Sequence, residues 1–168
     1  MSAVKPTWGA SLRLDAEFRG RAQLLSSVRP LVGCLCAQFL EQGEKSAMLV
    51  MAVQELAENL VKYSKGEASL SFDLCLDQDR AVARICTQNT ASAEHLREVS
   101  ELFSRIGSAT DAISLYDEMV AASGDREGSR LGLIRVRAEA GLALSCTIDS
   151  GRLSIAATGP VQAKVSAE

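Results

Sequence analysis

The chain has 168 residues, 47% hydrophobic and 23% charged, which are the proportions of one globular domain with a substantial core. Its formal net charge of −3 and its scattered Lys and Arg exclude a protein that holds nucleic acid by neutralising phosphates, because that mode needs a clustered basic surface. No apolar run approaches the roughly 18 residues of a membrane span, and the opening MSAVKPTWGA lacks the apolar core of a secretory signal, so a cytoplasmic protein without membrane or nucleic-acid partners is expected.

Residues 1–10 carry Pro6, Gly9 and the single Trp and form a loose lead-in. From Ser11, Leu12, Leu14, Ala16 and Phe18 alternate with Arg13, Asp15 and Glu17, the period of a half-buried strand. A helix is predicted over 24–40, with Pro30 interrupting it or marking its first turn. Gly43 in the QGEK stretch predicts a break, and a second, strongly apolar helix follows from Ala47 to Ser64. Gly66 is placed to end that helix in the left-handed conformation.

On this second helix Glu55, Asn59 and Lys62 fall on one narrow face, while Leu49, Val53, Leu56 and Leu60 fall on the other. The spacing alone is equally that of a solvated face carrying a Glu58–Lys62 pair. Strands are predicted over 70–77 and 81–87, joined as an antiparallel hairpin by a polar turn. The stretch QNTASAEH, which includes Asn89, breaks the strand pattern, and a helix follows over 94–106 with His95 on its surface. A short helix capped by Thr110 runs to about Ala122, and SGDREGSR (123–130) forms a loop. A helix from Leu131 is closed by Gly141, strands over 142–148 and 152–158 are joined through Asp149-Ser150-Gly151, and Pro160 starts a frayed tail.

Five cysteines, with no C-x-x-C pair and one His in the whole chain, do not build a Cys/His zinc site. Their odd number and apolar surroundings predict buried, reduced thiols. The order of elements predicts one α+β domain over 11–159, a sandwich of one mostly antiparallel sheet with helices on one face, and a tail over 160–168.

The string Glu55-x-x-x-Asn59-x-x-Lys62-Tyr63-Ser64 at the end of an apolar helix resembles the N-box of the GHKL (histidine kinase-like) ATPases. Gly128-Ser129-Arg130-Leu131-Gly132-Leu133 is similar to the G-x-G-L-G-L box that follows it in that superfamily. The resemblance covers residues 11–159 and implies the same two-layer α/β sandwich, the Bergerat or histidine kinase-like ATPase fold. No helix pair for dimerisation and phospho-acceptance precedes the N-box, so the resemblance is to stand-alone kinases of the anti-sigma-factor type. The SiaB-like branch of bacterial partner-switching systems is especially similar, because it too carries two helices between the adenine segment and the glycine box.

The resemblance implies a Mg-ATP-dependent protein serine/threonine kinase whose substrate is a small STAS-domain antagonist of an anti-sigma factor. A homodimer would not be unusual among such kinases. It implies Glu55 as catalytic base, Asn59 as ligand of Mg²⁺, and Lys62 near a phosphate, with Gly128 and Gly132 letting backbone approach the phosphates. Arg130 stands where the middle glycine would be, as a solvent-facing lid residue or as a phosphate ligand. The adenine segment D-x-G-x-G is replaced by Thr87-Gln88-Asn89-Thr90-Ala91, in which Asn89 is the nearest substitute for the adenine-binding Asp. The last glycine box is reduced to Gly151 without a following Thr. These departures leave two alternatives: a degenerate, non-catalytic binding module that sequesters a protein partner, and a plain α+β regulatory domain.

Overall fold

The computed structural model describes residues 10–19, 25–77, 80–123 and 129–164. The elements run β1 (Ala10–Arg19), α1 (Leu25–Phe39), α2 (Glu44–Tyr63), β2 (Glu67–Asp77), β3 (Arg80–Thr90), α3 (Ala93–Ser108), α4 (Ala112–Ser123), α5 (Ser129–Ala138), β4 (Ala143–Asp149) and β5 (Arg152–Gln162). The five strands form one antiparallel sheet in the order β1-β2-β3-β5-β4. The chain is an α+β sandwich.

Period-two alternation decides which face of the sheet is covered. Leu70, Phe72 and Leu74 of β2 lie beside Ala83 and Ile85 of β3 and Ile155 and Ala157 of β5, all buried under the helices. The alternate residues, among them Arg13, Asp15, Ser71, Asp73, Arg84 and Cys86, point to the other face. There Arg13 Nε binds Asp15 Oδ2 at 2.8 Å, both side chains largely open to water, and lies 3.7 Å from Oδ1 of the more covered Asp73.

α2 is the central helix. Leu49, Ala52, Val53, Leu56, Ala57 and Leu60 are buried, and the helix packs on β2, β3 and β5 with α1 on one flank and α5 on the other. α1 contributes Val28, Val32 and Cys36 at four-residue intervals, the spacing of one helical stripe. Full burial of each large apolar side chain stabilises by about 1.5–3 kcal/mol, so this layer is a dominant source of folding energy.

Several boundaries differ from those the sequence predicts. Pro30 lies inside α1 without breaking it, near the start of the helix and on its exposed side. Gly66 is not a left-handed cap. α2 ends at Ser64, whose backbone is extended and whose N–H donates to Leu60 O, and Ser64 Oγ then donates to Gly66 O. Thr110 does not cap α4; Asp111 does, accepting from the backbone N–H of Ser114 (2.9 Å) and of Ile113 (3.3 Å). A further bond from Ser114 Oγ, chiefly, and these two backbone bonds hold the Asp111 carboxyl below its usual range.

The β3 strand does not break at QNT. It continues through Asn89 and Thr90 because both flanks are paired, Asn89 standing between Ala68 of β2 and Leu153 of β5. Nor does Pro160 end the order of the chain. The last β4–β5 pair is Ala143 with Thr158, so Pro160 has one open flank, and β5 runs on to Gln162 beside β3. Ala163 then bridges Leu40, and Lys164 N–H donates to Phe39 O at 2.8 Å.

All five cysteines are free, but only Cys36 is buried, its thiol pushed up to about 11 by loss of solvent. Cys34 is exposed, and Cys75, Cys86 and Cys146 are half-buried. The β4–β5 turn has Ser150 at φ 50° and Gly151 at φ 81°, the positive pair that a two-residue hairpin needs, and Gly141 takes φ 65° beyond α5. No helix among the described residues is long and apolar enough to cross a membrane.

Candidate functional site

The site lies where α2, α5 and the ends of β3 and β5 meet. The end of α2 is tied to the end of β3, because Lys65 N–H donates to Thr90 O at 2.9 Å. That tie helps to set Asn59 in the wall of a cleft lined also by Thr87 and Asn89, with Glu55 and Tyr63 one turn to either side of it along the same edge of α2.

α5 closes the outer end of this edge. A Cβ added to Gly132 would stand 2.5 Å from Glu55 Oε2 and 3.6 Å from Asn59 Nδ2. Any larger residue would push the Glu55 carboxylate aside, so the Glu55/Asn59 segment and the later glycine segment do converge. Gly132 lies in the first turn of α5, where backbone N–H groups have no helical acceptor and the helix dipole favours negative charge. Gly128 lies outside the described residues, as does the side chain of Arg130, although Arg130 itself belongs to α5.

Glu55 is held by a residue that the sequence does not single out. Arg135, one turn beyond Gly132, donates from Nη1 to Glu55 Oε1 at 3.2 Å and from Nε to Glu139 Oε2 at 2.9 Å. Burial and the nearby Glu58 charge raise the Glu55 carboxyl above its ordinary range, and Arg135 offsets part of that rise. Arg135 itself is held more strongly protonated, chiefly by its bond to Glu139. The i, i+4 spacing of Arg135 and Glu139 is visible in the sequence, but the third partner arrives from another helix.

Asn59 Nδ2 is buried and has no hydrogen-bond partner among the described residues. Lys62 does not join the edge; it is exposed, with Nζ 5.3 Å from the centre of the neighbouring Tyr63 ring. Asn89 is 5% exposed, in a strand and not in a turn, and its Nδ2 donates to Thr90 O at 3.2 Å.

The remaining wall is α3. Ser92 caps it, accepting from His95 N–H at 3.2 Å, and Val99 and Leu102 are buried against the core. His95 is not a surface residue. Its ring stacks on Tyr63 with centroids 3.9 Å apart and planes 3° from parallel, and its side chain is only 11% exposed. Burial lowers the His95 pKa despite Glu98 Oε2 at 3.9 Å from Nδ1, and Nδ1 has no hydrogen-bond partner among the described residues. The sequence did hold one signal for this, since His95 shares a helical stripe with Val99 and Leu102.

With α3 in this position the cleft encloses a cavity of about 20 Å³, lined by Leu56, Leu60, Leu133 and Ile155 among others and by the polar groups of Asn59, Thr87, Asn89, His95 and Glu98. That is room for about one water, far below the roughly 300 Å³ or more of a typical small-molecule site. Among the described residues no three Cys, His, Asp or Glu side chains gather as a metal site.

The architecture defines a two-layer α+β protein with a largely apolar cleft, carrying a few polar groups, between its central helix and the strand ends. No protein-family model matches the chain, and no curated protein matches it in sequence. Among solved structures it is similar to a chain in the crystal structure of the SiaB–SiaC complex from Pseudomonas aeruginosa, with a TM-score of 0.60 and 14% identity over 88% of this chain and 89% of that one. At this identity the likeness shows the fold.

Proposed function

We propose that the chain is a partner-switching regulator with a GHKL-type site, and that it acts as a Mg-ATP-dependent serine/threonine kinase on a STAS-domain antagonist. The observation that carries this reading is the contact of Gly132 with both Glu55 and Asn59, which joins the two segments that the resemblance singled out. An ordinary interhelical ion pair does not require a glycine there or an unpartnered carboxamide beside it.

The phosphate end fits the ligand. Asn59 offers an oxygen suited to Mg²⁺ and an unsatisfied N–H for a phosphate oxygen, and the first turn of α5 offers backbone N–H groups. ATP would supply the phosphoryl group. Glu55, with an environment that raises its basicity, would accept the proton of the substrate hydroxyl, and Arg135 would hold its carboxylate in place. The likeness to a chain of the SiaB–SiaC complex supports a protein partner.

The base end favours the second reading, a non-catalytic module that regulates its partner by sequestration. The cavity there admits about one water, and Asn89 replaces the expected Asp. Calorimetric titration with Mg-ATP, beside Asn59→Ala, separates the two. Saturable binding weakened at least about tenfold by Asn59→Ala, the size of a lost charge-assisted contact, supports the kinase. No saturation at millimolar nucleotide removes the kinase and leaves the module.

A further inference from the structure

α3 covers much of the cleft, and one aromatic contact holds the start of α3 to the central helix. We infer that the Tyr63–His95 stack is a latch, and that α3 swings away to admit the planar base of a nucleotide. The inference rests on the nucleotide-binding reading above and adds its regulation.

Three observations carry it. The cavity of about 20 Å³ is too small for any nucleobase, so a ligand of that class enters only if a wall moves. The walls from α2, β3 and β5 belong to the central helix and the inner strands, whereas α3 packs mainly on the edge strand β4 and on α5. It is joined to β3 by Ala91 and Ser92 alone, which makes it the movable wall. At its first turn the tie to α2 is the ring stack, because Tyr63 and His95 lie face to face at 3.9 Å.

The closed arrangement also leaves polar groups unsatisfied. Asn59 Nδ2 and His95 Nδ1 both line the closed cleft without partners among the described residues. A buried polar atom needs a partner, so Asn59 Nδ2 and His95 Nδ1, which find none among the described residues, are open to an entering hydrogen-bonding ring. Opening has a cost as well, because the stack is broken and Val99 and Leu102 lose cover. A ligand that binds only the open form shows an affinity reduced by the fraction of molecules that are open.

The test uses the whole chain, with His95→Ala to remove the ring and His95→Phe to keep a ring without Nδ1. Hydrogen exchange across residues 93–99 reads the latch, and Mg-ATP titration reads its consequence. His95→Ala is expected to speed exchange and tighten Mg-ATP binding by about three- to tenfold, the span set by loss of one aromatic pair, while His95→Phe keeps wild-type exchange. Exchange in His95→Ala equal to wild type overturns the latch. Faster exchange with weakened Mg-ATP binding also overturns it, since His95 would then be a ligand contact. Faster exchange with no Mg-ATP binding in any variant keeps the mobile α3 but overturns both its link to nucleotide and the kinase reading.

Discussion

Gly132 lies so close to Glu55 that no side chain fits between the α5 backbone and the carboxylate, since a methyl carbon added there would stand only 2.5 Å from Oε2. The clashing atom is the end of a flexible side chain, so Gly132→Ala is expected to move Glu55 and not to unfold the protein. Alanine also improves intrinsic helix propensity by about 1 kcal/mol, which offsets the displacement. The thermal midpoint should therefore change by only a few degrees. If Glu55 is the base of the proposed kinase, phosphoryl transfer should fall at least about tenfold, the usual consequence of displacing a catalytic group. A Gly132→Ala protein that transfers at the wild-type rate would remove Glu55 from the reaction.

Glu55→Gln separates chemistry from stability. The folded carboxyl has a pKa above its ordinary 4.5, because burial and Glu58 outweigh Arg135. A carboxyl raised on folding binds more protons in the native state, so its ionisation lowers stability as pH rises through that interval. The charge is therefore a net cost at pH 7, and Gln, which can still accept from Arg135, should be neutral or stabilising by up to about 1 kcal/mol. Any advantage should vanish below pH 4.5, where the wild-type carboxyl is itself neutral. Transfer should drop by about 10²–10⁴-fold if Glu55 is the base. Melting curves at pH 4 and pH 7, read beside transfer rates, check both halves.

Much of the fold was legible in the sequence because two-residue alternation is a direct imprint of a half-buried sheet. Leu70, Phe72 and Leu74 announced the covered face of β2, and Leu49, Val53, Leu56 and Leu60 that of α2. What escaped depends on neighbours that local pattern does not record. Asn89 has turn composition, yet strands on both sides carry β3 through it. Pro160 is tolerated because β4 has already ended, which is a fact about topology. Within the site, Glu55 and Asn59 shared a helical face, the resemblance to the GHKL boxes singled them out together with Gly132, and the structure brings the three together. Lys62 was marked by the same spacing but turns outward over Tyr63. Arg135 carried no motif, and its role depends on the approach of α5 to α2.

His95 makes stability depend on pH in a predictable direction. Desolvation lowers its pKa below 6.5, partly opposed by Glu98, so the neutral ring is the form that the fold accepts. Below 6.5 the unfolded chain takes up a proton more readily than the native one, and stability falls with pH until the folded pKa is passed. The full contribution of the neutral ring is present above 6.5. Denaturation midpoints followed from pH 7.5 to pH 5 should decline in the wild type. In His95→Phe, which cannot titrate, the part of that decline due to His95 should be absent. Equal slopes in the two proteins would show that His95 is not held neutral.

Asn89→Asp tests whether the floor of the cleft was made for an adenine amine. Asn89 is 5% exposed, and its Nδ2 donates to Thr90 O. An Asp there has no proton to donate at neutral pH and places a charge against a carbonyl in a poorly solvated position. The substitution should therefore destabilise by about 1–3 kcal/mol, the cost of an unsatisfied buried polar group. A carboxylate is also a stronger acceptor for an exocyclic amine than a carboxamide is. If the cleft receives adenine, Asn89→Asp should tighten Mg-ATP binding relative to Mg-GTP, because guanine offers a carbonyl oxygen where adenine offers the amine. Parallel titrations with the two nucleotides give the ratio directly. Loss of stability with an unchanged ratio would show that the base does not reach Asn89.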